Sequence, residues 1–216
     1  MKRGTVLFFI LLGIWLGAQS HKAIDFDGIR KAVTDSASTY FYERMLYRFQ
    51  FNPTAIDSLE AKHLYYGRSF SGSRSSAVSD KFEFIEWMRK GAYDKAIEEG
   101  ERLVYDNPTD LELLGLLTHA YSQKDPESKN HALRGLQFSK LVETVIKNGS
   151  TAKDSASYTI MTLGDQYVLA GIMQKDLSLY QRSSKPWRYG MTDTWKRNAG
   201  KEKLIFHVVY PDFLDR

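Results

Sequence analysis

Between residues 91 and 108 the chain reads GAYDKAIEEGERLVYDNP, and the spacing inside this stretch leaves few folds open. Gly91 is followed by Tyr93, Ala96, Leu103 and Pro108, and each residue type has a physical task at its place. Glycine lets the chain turn sharply between two helices. Tyr93 packs back on the preceding helix, and the small Ala96 lets two helix backbones approach. Pro108 ends the second helix, because proline disfavours helical geometry in the residue before it. Counting on, Leu114, Leu117, Ala120 and Tyr121 fall where a following helix places its packing residues. Ala132 would be the next close-contact position, displaced by two residues in the turn QKDPES. Apolar residues three and four apart specify helices here, not strands.

This spacing resembles the second half of a tetratricopeptide repeat, a helix-turn-helix unit of about 34 residues. One and a half repeats fit, and a further half fits loosely. Such a unit cannot bury its face alone, and arrays usually take three or more repeats. The helices before residue 70 and the C-terminal part are therefore expected to cap the short stack. The resemblance also implies a groove along the first helix of each pair, lined by Lys81, Ile85 and Met88, then by Glu112, His119 and Gln123. A protein or peptide is the occupant such a groove implies.

Around this centre the rest of the chain is organised in two parts. Residues 24–49 are expected to form two helices. Ile24, Phe26, Ile29 and Val33 mark the first, and Phe41, Met45 and Phe49 give the second a stripe four residues apart. Asn52-Pro53 stops that stripe. Asp57 and Glu60 can form a capping box at the start of the next helix, whose Leu59, His63, Tyr66 and Phe70 share a face. Residues 67–79, GRSFSGSRSSAVS, read as an exposed loop. Residues 80–147 are the most helical region, and Asn148-Gly149 ends it. Thereafter the pattern becomes β-rich: SYTIMTL, a short helix at DQYVLAGIM, LSLYQR, WRYGMTDTW and KLIFHVVY. The fold class expected is α+β. A mainly helical part over 21–149 precedes a small antiparallel sheet with one helix over 150–216, packed on it.

The first twenty residues have a different character. Lys2 and Arg3 precede the apolar TVLFFILLGIWL and then the small, polar GAQS. That is the order of a secretory signal peptide, cut after Ser20 or Ala18, so the protein is expected to be secreted or periplasmic. The apolar run falls short of the roughly 20 residues of a membrane span, and no stable span is expected after cleavage. The chain has no cysteine, so lipid anchoring through a cysteine, disulfides and thiolate chemistry are all excluded. With 43% hydrophobic and 13% aromatic residues it can form a core without staples. The formal net charge is +4, but two positive charges lie in the leader. Nucleic acid, which needs a concentrated basic face, is not an expected partner.

Two further stretches are recognisable. STYFYERMLYRF with KHLYYG, and the C-terminal series TAKDSASYTI, DQYVL and LIFHVVYPDFL, resemble a secreted bacterial family, domain of unknown function 4919. Tyr40, Tyr42, Leu46, Arg48, Leu64, Tyr65, Tyr66 and Gly67 carry the resemblance in the N-terminal half. The serine-rich segment after Phe70 departs from the aromatic and acidic residues expected there. The resemblance implies an exported location and no particular reaction.

Familiar reaction chemistry has no signature in the chain. The five histidines lack the spacing of a zinc helix, there is no long phosphate-binding loop, and no G-x-S-x-G elbow occurs. No metal or cofactor is expected. A serine–histidine–acid triad is a spatial arrangement that counting does not reveal. The stretch KPWRYGMTDTWKR interleaves Trp187, Tyr189 and Trp195 with cations, and these aromatics are expected to cover one side of the sheet. The functional expectation is a non-catalytic binding or scaffold module of the cell envelope that holds a protein or peptide. An envelope-polymer or glycan hydrolase and a small-ligand carrier are the alternatives.

Overall fold

A computed structural model describes residues 23–71 and 81–214. The expected leader, His21 and most of the serine-rich segment lie outside the described residues. Helix α1 (Phe26–Thr34) starts at Asp25, whose carboxylate accepts the Gly28 N–H at 2.9 Å, and it buries Phe26, Ile29 and Val33. Helix α2 (Tyr42–Phe51) buries Tyr42, Met45, Leu46 and Phe49. It begins one residue later than the expected stripe, so Tyr42 rather than Phe41 turns inward. Helix α3 (Ser58–Gly67) opens with the expected capping box: Asp57 accepts from the Glu60 backbone, and Glu60 accepts from the Asp57 backbone. It forms the buried axis of the helical part, with Ala61, Leu64, Tyr65 and Tyr66 all inaccessible to solvent. Leu59 departs from the face expected for it and is exposed, because it lies on the far side of this helix from the core.

Two helix pairs follow. Helices α4 (Phe82–Arg89) and α5 (Tyr93–Asp106) are joined through Gly91, whose φ of +66° is a conformation that favours glycine. Helices α6 (Leu111–Lys124) and α7 (Lys129–Lys147) make the second pair. Ala96, Leu103, Leu114, Leu117, Ala120 and Tyr121 are all buried. Ala132 is exposed, however, and α7 instead buries Gln137, Leu141, Val142, Thr144 and Val145. The displaced register in the preceding turn carries Ala132 past the contact.

The second part is a five-stranded sheet with β1 (Ser150–Ala152), β2 (Ser155–Ile160), β3 (Tyr180–Trp187), β4 (Gly190–Arg197) and β5 (Lys203–Val209), in the order β1-β2-β5-β4-β3. Three of its pairings are antiparallel, but β2 and β5 run parallel. The sheet is therefore mixed, because the chain leaves β2 through helix α8 (Leu163–Ile172) before forming the β3–β4 hairpin, and β5 returns beside β2. WRYGMTDTW is also not one strand. Trp187 pairs with Gly190 across a two-residue turn at Arg188-Tyr189, so Trp187 and Trp195 belong to different strands. The short helix α9 (Pro211–Leu214) follows.

Alternation gives the sheet two unlike faces. Tyr158, Ile160, Leu204, Phe206, Val208 and Trp195 are buried on the inner one. There the Trp195 indole N–H donates to Gln166 of α8 at 3.0 Å. Helices and sheet share one hydrophobic cluster that runs from Ile24 to Leu214. Polar links cross it too: the Tyr66 hydroxyl donates to the Thr159 carbonyl at 3.2 Å. Among the described residues, no helix is long and apolar enough to cross a membrane.

Candidate binding surfaces

The residues expected to line a helical groove fall into two groups. Lys81, just before α4, forms ion pairs with Asp110 and Glu112 at the start of α6. Its side chain is only 15% exposed and that of Asp110 6%, so this is a nearly buried cluster rather than a free groove wall. Burial works against the charged ammonium, but the two carboxylates outweigh it and hold the Lys81 pKa above its ordinary value. Asp110 is committed a second time, as the cap that accepts the Leu113 N–H at 3.0 Å. Glu112 abuts the first turn of α8, where a Cβ added at Gly164 would lie 2.2 Å from its Oε2. The other residues lie further along the same helices. Ile85 is 42% exposed, and Met88 is half-buried against the core. His119 is exposed and meets Tyr93 edge-on at 6.3 Å, while Gln123 is exposed beside Ser122.

Behind Lys81 the burial deepens. Asp165 at the start of α8 is fully buried and accepts from the Tyr65 hydroxyl at 2.6 Å and from the backbone of Met161 and Thr162. Burial pushes its carboxyl up. The nearby Arg68 guanidinium pulls it back, and the Asp110 carboxylate adds to the rise. Each oxygen of Asp165 is taken by an internal donor, which makes it a structural joint between α3 and α8. His63 has a similar character. It stacks on Tyr40 at 4.2 Å, its Nδ1 is 2.8 Å from the Leu59 carbonyl, and burial holds its pKa below the usual value.

The outer face of the sheet presents a second surface, one that sequence reasoning missed. Its rows, read across β2, β5, β4 and β3, are Ser155–Lys203–Lys196–Gln181, then Ser157–Ile205–Thr194–Ser183, then Thr159–His207–Thr192–Lys185. His207 stands between two hydroxyls. Its Nδ1 is 2.9 Å from Thr192 Oγ1, and its Nε2 is 3.1 Å from Ser157 Oγ. The Trp187 ring lies 5.0 Å from the imidazole. A serine–histidine pair is the beginning of a hydrolytic triad. Here the other ring nitrogen meets a second hydroxyl, that of Thr192. The neighbouring carboxylate, Asp193, points to the opposite face and is held by Arg182 and Ser184, both at 2.6 Å. Only alternation along the strands could have indicated this face, and the strand partners were not readable. Among the described residues, no group of three or more histidines or acids is placed to hold a metal.

Comparison with known proteins returned one relationship. No curated protein matches the chain, and no solved structure matches it. A family model described as Domain of unknown function (DUF4919) matches residues 27–209, which runs from the first turn of α1 to the end of β5. The chain therefore belongs to the DUF4919 family.

Proposed function

We propose that the chain is an exported, non-catalytic binding module of the cell envelope that holds a protein or peptide partner against α4 and α6. The observation that carries this reading is the Lys81 cluster. One ammonium shared by Asp110 and Glu112 ties the start of α4 to the start of α6, so the first helices of the two pairs have a common fixed edge. Ile85, Met88, His119 and Gln123 lie beyond that edge, and their mixture of half-buried apolar and exposed polar groups suits a binding patch with a polar rim. A surface fixed in advance loses less entropy on binding. The leader-like order of residues 1–20 supports export.

Lys81 is unsuitable as a probe of this surface, since changing it disturbs a buried cluster. The test places a photo-crosslinking residue at Ile85 or Gln123 in intact cells, with Tyr105 of α5, 73% exposed, as the comparison position. The expected result is one partner captured from both Ile85 and Gln123 and absent from Tyr105. The same set of proteins from all three positions, or none from any, overturns the reading. Fractionation tests the location independently: the mature chain should begin near His21 and appear outside the cytoplasm.

A further inference from the structure

One end of the open sheet face sets like charges against one another. Lys196 of β4 and Lys203 of β5 are direct cross-strand partners. Like charges placed opposite one another weaken a sheet. Lys201 adds a third ammonium from the turn between the two strands. With Asp154, Ser155 and Ile205 these lysines line a hollow of about 520 Å³. One acid thus faces three bases, and none of the three lysines forms an ion pair among the described residues. The acid closest in sequence does not relieve them. Glu202, between Lys201 and Lys203, instead pairs with Lys175 at 2.5 Å and Arg197 at 3.4 Å and accepts the Tyr180 hydroxyl at 2.8 Å. At other places a cation is set directly against carboxylates, as at Lys81 with Asp110 and Glu112, or Arg182 with Asp193. Repulsion kept at one place, while the adjacent acid is used elsewhere, marks a site whose counter-charge arrives with a ligand.

We propose that this face binds an acidic polysaccharide, with carboxylate groups seated in the lysine hollow. The ligand is a polymer because the polar surface continues beyond the hollow. Ser157, Thr194 and Thr192 lead from it along β5 to His207 and Trp187, a run of roughly 20 Å at the usual rise per strand residue. Serine and threonine hydroxyls both donate and accept, which matches the hydroxyls of a sugar. Trp187, half-buried at the far end, offers a ring against which a sugar can stack. The same composition argues against nucleic acid. A single-stranded nucleic acid needs successive aromatic platforms. The face has one tryptophan. This surface is separate from α4 and α6, so either proposal can fail alone.

The test is calorimetric titration of the mature protein with an oligomer of a uronic acid. The same oligomer as its neutral methyl ester, and a polyphosphate of similar length, serve as comparisons. The expected result is binding of the uronate that weakens as salt is added, with little binding of the ester or the polyphosphate. The double variant Lys196→Gln/Lys203→Gln, altered only at exposed positions, should retain the wild-type circular dichroism and bind at least about tenfold more weakly. No uronate binding overturns the proposal, as does equal binding of the ester or unchanged affinity in the double variant. Equal or tighter binding of polyphosphate also overturns it, because the hollow would then be a general anion site.

Discussion

Lys81 shows how a single side chain can serve a different purpose from the one its sequence position suggests. The repeat-like spacing marks it as a groove residue, and the structure gives it two carboxylates to hold in a nearly buried place. Replacing it with methionine leaves Asp110 and Glu112 facing each other without a counter-charge. Lys81→Met should therefore cost about 3 kcal/mol in urea unfolding. Adding Glu112→Gln should restore part of that loss, and a double variant no better than the single one would show that the coupling is absent. Asp165 gives a prediction of pH dependence. Burial raises its pKa in the folded state, so its contribution is fully present below the unfolded carboxylate value, about 3.9, and is lost as pH rises through the folded value. An asparagine in its place carries no charge to desolvate. The stability of Asp165→Asn relative to the parent should accordingly improve between pH ~3 and neutrality, measured by denaturant unfolding at both ends. An unchanged difference would mean that the buried carboxyl is not strained by its charge.

At the level of elements, much of the helical half was legible because its signals are local. The Asp57–Glu60 capping box needs only residues three apart, and it forms as read. The stretch from Gly91 to Pro108 predicts a turn, a helix and a stop, and α5 occupies Tyr93–Asp106 between them. Gly91 tests the turn directly. A Cβ there would meet nothing within 4 Å, so any cost of Gly91→Ala is backbone strain at positive φ alone. We expect a loss of about 1 kcal/mol, and a smaller one for Gly91→Asn, by thermal unfolding. Gly164 tests close approach instead. Gly164→Ala must displace the Glu112 carboxylate that Lys81 holds, with an expected loss of about 1–3 kcal/mol. The strands were legible as strands, but their neighbours were not. Alternation in KLIFHVVY specifies which residues share a face; it carries no record that β5 lies between β2 and β4. For that reason His207 could not be placed beside Ser157, fifty residues away, nor Lys196 opposite Lys203.

Across the whole molecule, the tyrosines set the response to alkali. Burial raises the pKa of Tyr65, Tyr66 and Tyr158, and it pushes Tyr121 and Tyr180 up to about 12. Unfolded tyrosines ionise near 10. The stabilisation they represent is therefore complete below that value and is lost as pH rises toward the folded values. Tyrosinate absorbance and loss of helical circular dichroism should rise together above pH ~10, because several of these rings belong to the one core shared by helices and sheet. Ionisation of the buried tyrosines with the helices intact would contradict this coupling. The order of the sheet carries a further consequence, for the time at which the protein can become itself. Its central strand, β5, is the last of the five in chain order. During synthesis, β2 and the β3–β4 hairpin must wait on either side of a gap until β5 emerges. The two halves of the sheet cannot be joined before β5 exists, so the sheet is completed only after every helix from α1 to α8 has been synthesised.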